Sequence, residues 1–353
     1  MKITAVRSWS ETIALTQSFT ISYHTSDDVT LHFLEIEAEG KVLGYGSASP
    51  GERVTGETDE ACAQALQALS ALQGEDLRHL LRLLREAQAR MQKTPAALAA
   101  LDMALHDLLA RHLGVPLVEM LGRAHQALPT SNTLGLRTIP ETLDEALRKS
   151  GEGFSVLKVK LGKSLEEDLE RLAKLREVLP PETVLRVDPN QGYTLEELRQ
   201  LLDQSKRLRL EFVEQPLKVV DTEQLRQLSP EQRQQIALDE SLKSEADALR
   251  YGHPERYCGI YNIKLMKSGG LEPARRIAHL AAVSDIELMW GCNDESRISL
   301  AAALHQALAC PNTRYLDLDG NLDLVRDPAS GGYSLKEGVL IPSDAPGLGI
   351  TMG

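Results

Sequence analysis

Positive charge, cysteine and long apolar runs are all scarce in this chain of 353 residues. Lysine and arginine number 39 against 51 aspartates and glutamates, and no basic stripe interrupts the net charge of −12. That argues against a nucleic-acid partner, because phosphate binding needs clustered positive charge. The four cysteines, Cys62, Cys258, Cys292 and Cys310, show no CxxC or zinc-type spacing. They read as small buried thiols in a reducing compartment, so the expected location is cytoplasmic. No stretch reaches the roughly 18 consecutive apolar residues of a membrane span. The opening MKITAVRSWSETIALTQ also lacks a signal-type apolar core, so no membrane contact is expected.

What the chain does have is two successive patterns. Through about residue 60 it alternates in the strand manner, as in VTLHFLEIEAEGKVLGYGSA, with a hairpin turn predicted at Glu39-Gly40. The period then becomes helical, and the spacing predicts a helix over 94–113 stopped by Gly114. An α+β domain is therefore expected over 1–122. From about 127 short apolar strands such as SVLKVKLG, VLRVDPN, EFVEQP and GIYNIKLM alternate with amphipathic helices. Eight strands with helical crossovers predict a parallel barrel over 123–330. The tail, about 331–353, is expected to pack back on the first domain. An open doubly wound sheet lacks its Gly-rich phosphate fingerprint here.

Barrel active sites lie at the C-terminal ends of the strands. Polar residues recur there: Lys160, Asp188, Glu214, Asp239 and Lys264 follow one another at steps of 28, 26, 25 and 25 residues. Each step is one βα unit. Asp188, Glu214 and Asp239 would converge from adjacent strands, and three carboxylates cannot stay ionised together without a cation. Oxygen donors with no nearby Cys or His select a hard ion such as Mg²⁺. Lys158 and Lys160 share the inward face of FSVLKVKLG, on one side of this trio, with Lys264 on the other. A neighbouring ammonium and a metal ion should lower the pKa of Lys160 into the range of a general base. Two bases flanking a metal-bound carboxylate predict inversion of an α-carbon: one removes the proton, the other returns it to the opposite face.

With these motifs the chain resembles the enolase superfamily, in its muconate-lactonising subgroup. The likeness runs through ALDMALHDLLARHLGVPLVEMLG, LKVKLG, RVDPNQGY, VEQPL, ALDES, NIKLMKSGG and PGLGI. It implies an α+β capping domain over a modified (β/α)7β TIM-type barrel. It implies Lys160 and Lys264 as the acid/base pair, with Lys264 preferred to Lys267 because it directly follows the NI dipeptide. It implies Asp188, Glu214 and Asp239 as Mg²⁺ ligands, Lys158 beside the substrate carboxylate, and Asn190 behind the ligands. YLDLDGN resembles the Asp-x-Asp signature of dipeptide epimerases, in which Asp317 and Asp319 would hold the α-ammonium of an L,L-dipeptide.

Ala-Glu epimerases of that kind carry an arginine at the position matched here by His24, so an acidic side chain loses its partner. Asp294 and Glu295 in WGCNDES, with Glu52 in SPGERVTGE, favour basic side chains instead. The rival reading is a cycloisomerase or o-succinylbenzoate synthase-like lyase, for which the aspartate pair would be irrelevant. An acid-sugar dehydratase would need a histidine in the late strands, and His279 and His305 fall in helices. Barrels of this kind often assemble, so a homo-oligomer is compatible with the sequence.

Overall fold

The computed structural model describes residues 1–21 and 24–353, apart from the side chains of 17–21, 24 and 25. Three antiparallel strands come first: β1 (Ile3–Ile21), β2 (His24–Ala38) and β3 (Val42–Ala48). The β2–β3 hairpin turns at Gly40 and Lys41, both at positive φ, next to the predicted Glu39-Gly40. Helices α1 (Asp59–Ala68), α2 (Leu80–Arg90) and α3 (Pro95–Leu113) follow. Proline opens α3 and Gly114, in the left-handed conformation, closes it. α3 is apolar nearly all round because it is covered on both sides, by the strands and by the barrel. It lies so close to β3 that a Cβ at Gly46 would stand 1.9 Å from the Ala100 carbonyl oxygen.

After the short strand β4 (Leu128–Pro129) come eight parallel barrel strands. They are β5 (Asn132–Leu134), β6 (Val156–Lys160), β7 (Val184–Asp188), β8 (Leu210–Glu214), β9 (Ile236–Leu238), β10 (Ile260–Ile263), β11 (Glu287–Gly291) and β12 (Thr313–Asp317). They hydrogen-bond in sequence order, with helical crossovers between successive strands. A parallel bridge between Thr130 and Leu316 brings the two outer strands together. No helix follows β12 before the tail strands, so the barrel is of (β/α)7β type.

Side chains alternate along each strand, and the inward set is layered. Phe212, Ala237, Ile260 and Met289 pack together as a buried cluster at the floor, with Tyr315 against it. Arg186 is buried among them, its guanidinium 5.3 Å from the Phe212 ring centre and 5.1 Å from that of Tyr315. Above the floor every inward position on β6, β7 and β8 is polar. In the tail, Leu348 donates its N–H to Asp107 Oδ1 at 2.6 Å, and the Ile350 carbonyl accepts from Arg111 at 2.7 Å. Both partners lie on α3. Among the described residues no helix is long and apolar enough to cross a membrane.

Candidate active site

Strand register carries the charged residues to one level. Lys160 pairs directly with Asp188, and Glu214 with Ala237, two positions before Asp239. Asp188 and Glu214 are wholly buried and Asp239 is 3 % exposed. Lys158 stands at the centre, with Nζ 3.2 Å from Asp188, 2.7 Å from Glu214 and 2.8 Å from Asp317. Lys160 Nζ lies 2.7 Å from Asp188 Oδ2 on one flank. Lys264 Nζ lies 3.0 Å from Asp239 Oδ2 on the other. From beneath, Asn262 donates to Glu214 Oε1 at 2.8 Å. The Asn190 backbone N–H donates to Asp188 Oδ1 at 2.9 Å.

Lys267 does not continue the strand that leads to Lys264. The strand ends at Ile263, and Leu265–Ser268 forms a helical turn that brings Lys267 back beneath Asp239. Its ammonium bonds both the Asp239 side chain and, at 2.5 Å, the Asp239 carbonyl. Lys267 is thus a buried support for Asp239, while Lys264 opens into the cavity.

Charge explains the titration of the cluster. Burial opposes ionisation of Asp239 and Asp188, but Lys264 and Lys267 hold the first below the usual carboxylate range, and Lys160 and Lys158 the second. Glu214 is different: burial and the neighbouring Asp188 push it up to about 8. Two of the lysines, Lys158 and Lys264, are shifted upward. Burial would lower Lys158 and Lys264, yet Asp317 and Glu214 raise the first, and Asp239 the second. Carboxylates outweigh the neighbouring ammonium in this arrangement.

The three carboxylates fit a hard divalent cation by donor chemistry. They converge from adjacent strands, are all oxygen, and have too little positive charge nearby to keep Glu214 ionised at neutral pH. Among the described residues no three acidic, His or Cys groups already form a coordination cage. The Lys158 ammonium sits against two of them, Asp188 and Glu214.

A cavity of about 550 Å³ opens above the cluster, between the barrel mouth and the N-terminal domain. It lies in the size range of small-molecule sites. Lys160, Lys264, Asp317 and Asp319 face it from the barrel. Asp317 is buried, and Ser131 donates to its Oδ1 at 2.5 Å. Asp319 accepts from the Thr133 N–H at 2.7 Å, and burial together with Asp317 pushes it up to about 7. Asp294 and the exposed Glu52 also line the cavity. Glu295 does not; it is buried and accepts from the Asn293 N–H at 2.9 Å. The side chain of His24 lies outside the described residues.

Five further acids line the cavity that sequence reasoning missed: Asp28, Glu57, Asp59, Glu240 and Asp323. Burial raises Asp323, and burial with Asp323 close by pushes Asp294 up to about 6. Asp323, four positions past Asp319, carried a readable signal. Asp59 lies in the first turn of α1, where acids are common on any helix. The two domains also meet here, where Ser49 donates through Oγ to the Asp294 carbonyl at 2.7 Å and through N–H to Met266 Sδ at 3.4 Å.

Comparison with known proteins agrees with this geometry. Residues 141–353 match the enolase C-terminal domain-like family. Residues 3–122 match the mandelate racemase / muconate lactonizing enzyme N-terminal domain. An L-Lys-D/L-Arg epimerase from Methylococcus capsulatus is 52% identical over 352 residues, 99% of either chain. The solved dipeptide epimerase of that organism, complexed with Mg and L-Arg-D-Lys, superposes with a TM-score of 0.98 over 99% of this chain and all of that one. An Enterococcus faecalis dipeptide epimerase, complexed with Mg and L-Leu-L-Tyr, is 33% identical, with a TM-score of 0.93 over 99% of this chain and all of that one. By sequence and fold, the chain belongs to the mandelate racemase / muconate lactonizing enzyme family of the enolase superfamily.

Proposed function

We propose that this chain is a Mg²⁺-dependent dipeptide epimerase that prefers dipeptides with basic side chains. The observation that carries the reading is the placement of Lys160 and Lys264 on opposite flanks of one buried carboxylate cluster, both facing the same cavity. Asp188, Glu214 and Asp239 would hold the metal. When bound, Mg²⁺ supplies positive charge for the substrate carboxylate as negative charge builds on it. Lys160 and Lys264 then exchange the α-proton on opposite faces, one as base and one as acid. Lys158 steadies the substrate carboxylate, and Asn190 supports Asp188 from behind. Asp317 and Asp319 form the acidic end that takes the α-ammonium.

The basic preference is supported by acids on both walls, with Glu52 and Asp59 on one and Asp294 and Asp323 on the other. It is also supported by the relative that is an L-Lys-D/L-Arg epimerase. The test is a pooled library of L,L-dipeptides incubated with the protein in D₂O, with and without Mg²⁺, and read by mass spectrometry. We expect Mg²⁺-dependent deuterium at one α-carbon, led by dipeptides containing Lys or Arg. Equal or faster exchange of Ala-Glu would overturn the preference. No exchange in any dipeptide would overturn the epimerase.

A further inference from the structure

We infer that Asp59 is a specificity-determining residue of the cavity, receiving the terminal cation of one basic side chain, and that His32 is its positioning residue. The inference rests on the epimerase reading above and concerns a hydrogen-bonded chain that the proton transfer does not use. Ser10 and His32 are direct cross-strand partners on β1 and β2. Ser10 Oγ lies 2.6 Å from His32 Nδ1, and His32 Nε2 lies 2.9 Å from Asp59 Oδ1. A carboxylate can only accept, so Nε2 carries the hydrogen, and in a neutral ring Nδ1 is left to accept from the Ser10 hydroxyl.

His32 is 2 % exposed, whereas the Asp59 side chain is 51 % exposed and lines the cavity that Lys160 and Lys264 face. Burying an imidazole is costly unless both its nitrogens are satisfied. A helix start needs no such device, since Thr58 already caps α1 by accepting from the Ala61 N–H. The second Asp59 oxygen takes no hydrogen bond from the described residues. One oxygen is therefore fixed by the sheet and the other is presented to the cavity. Asp28 and Glu52 on the same side make this wall acidic, and Asp294 and Asp323 do the same opposite. Acid on two walls matches a dipeptide with a cation on each side chain.

The test measures kcat and KM for L-Lys-L-Ala, L-Ala-L-Lys and L-Ala-L-Ala. Wild type comes first: no preference for either basic dipeptide would sink the basic-substrate reading itself. Given that preference, Asp59→Asn should lower the kcat/KM ratio of one basic dipeptide to L-Ala-L-Ala by about tenfold, through KM. His32→Leu should do the same to a smaller extent. His32→Gln, whose amide can still donate to Asp59, should restore the ratio. Asp59→Ser, which keeps an oxygen at the helix start, replaces the Asn variant if that one melts early. Equal losses on all three dipeptides would mark the chain as a staple between β2 and α1, and would overturn the inference. So would ratios that do not move.

Discussion

Asp317 and Asp319 lie two positions apart at the end of β12, yet the protein holds them in opposite ways. Asp317 has both oxygens committed, Oδ1 to Ser131 and Oδ2 to Lys158. Asp319 ties Oδ2 to the Thr133 N–H at 2.7 Å, while its Oδ1 accepts a long contact from the Cys292 thiol at 4.0 Å. The two should fail differently. Asp319→Asn should raise KM for free dipeptides about tenfold and leave N-acetylated ones, which have no ammonium, unaffected. Asp317→Asn should in addition lower kcat, because Lys158 loses a buried partner. Identical kinetic profiles for the two variants would show that the split in roles is wrong.

The flanking lysines should be separable by stereochemistry. Lys160→Ala should abolish α-proton exchange starting from one configuration of the dipeptide, and Lys264→Ala from the other. Each loss should be about 10²- to 10⁴-fold, the usual weight of a positioned base. Proton NMR in D₂O on both stereoisomers of one substrate would settle this. Loss of both exchanges in one variant and of neither in the other would argue for a single base.

Asp294 supplies a pH dependence. With its carboxyl raised to about 6, it carries charge at neutral pH and loses it as pH falls through that value. The preference for basic over neutral dipeptides, measured by kcat/KM, should therefore weaken by up to about tenfold between roughly pH 7 and pH 5. Asp294→Asn should flatten that profile. An unchanged slope in the variant would remove Asp294 from substrate recognition.

His305 sets part of the acid limit of stability. It is wholly buried in the helix Arg297–Leu308, where its Nδ1 accepts from the Val118 N–H at 2.9 Å. Burial lowers it to about 4 from the ordinary 6.5. Between those values the unfolded chain binds a proton that the folded one does not, so stability rises with pH. The contribution, about 3 kcal/mol, is fully present above the unfolded value and lost as pH falls toward the folded one. Urea midpoints across that window should fall less steeply in His305→Gln than in the wild type.

The barrel end was legible because its signal is a repeat. Lys160, Asp188, Glu214, Asp239 and Lys264 recur at the length of a βα unit, and alternation puts them all on one face. Lys267 was not legible in its true role. Where strand gives way to helix after Ile263 depends on tertiary contacts around Gly269 and Gly270, which lie against Leu98 and Asp102 of α3. The raised Lys158 and Lys264 depend on carboxylates brought in from other strands, which the sequence of any one strand does not show. Asp59 was hidden for a related reason. Its neighbour in sequence is a helix cap, but its partner in space is His32 on β2, and the cavity it lines is shared with the barrel.

The seam between the domains has a consequence for engineering. α3 holds the start of the helix Leu271–Val283, where Asp102 Oδ2 accepts from the Glu272 N–H at 3.0 Å, and Ser49 binds Met266, two positions past Lys264. The backbone just past Lys264 is therefore stitched to the N-terminal domain at two points. A chimera that borrows a relative's first domain to change substrate would also inherit that relative's stitching. Unless Asp102 and Ser49 are carried along, such a graft alters the aim of Lys264 as well as the pocket, and an inactive hybrid would say little about specificity.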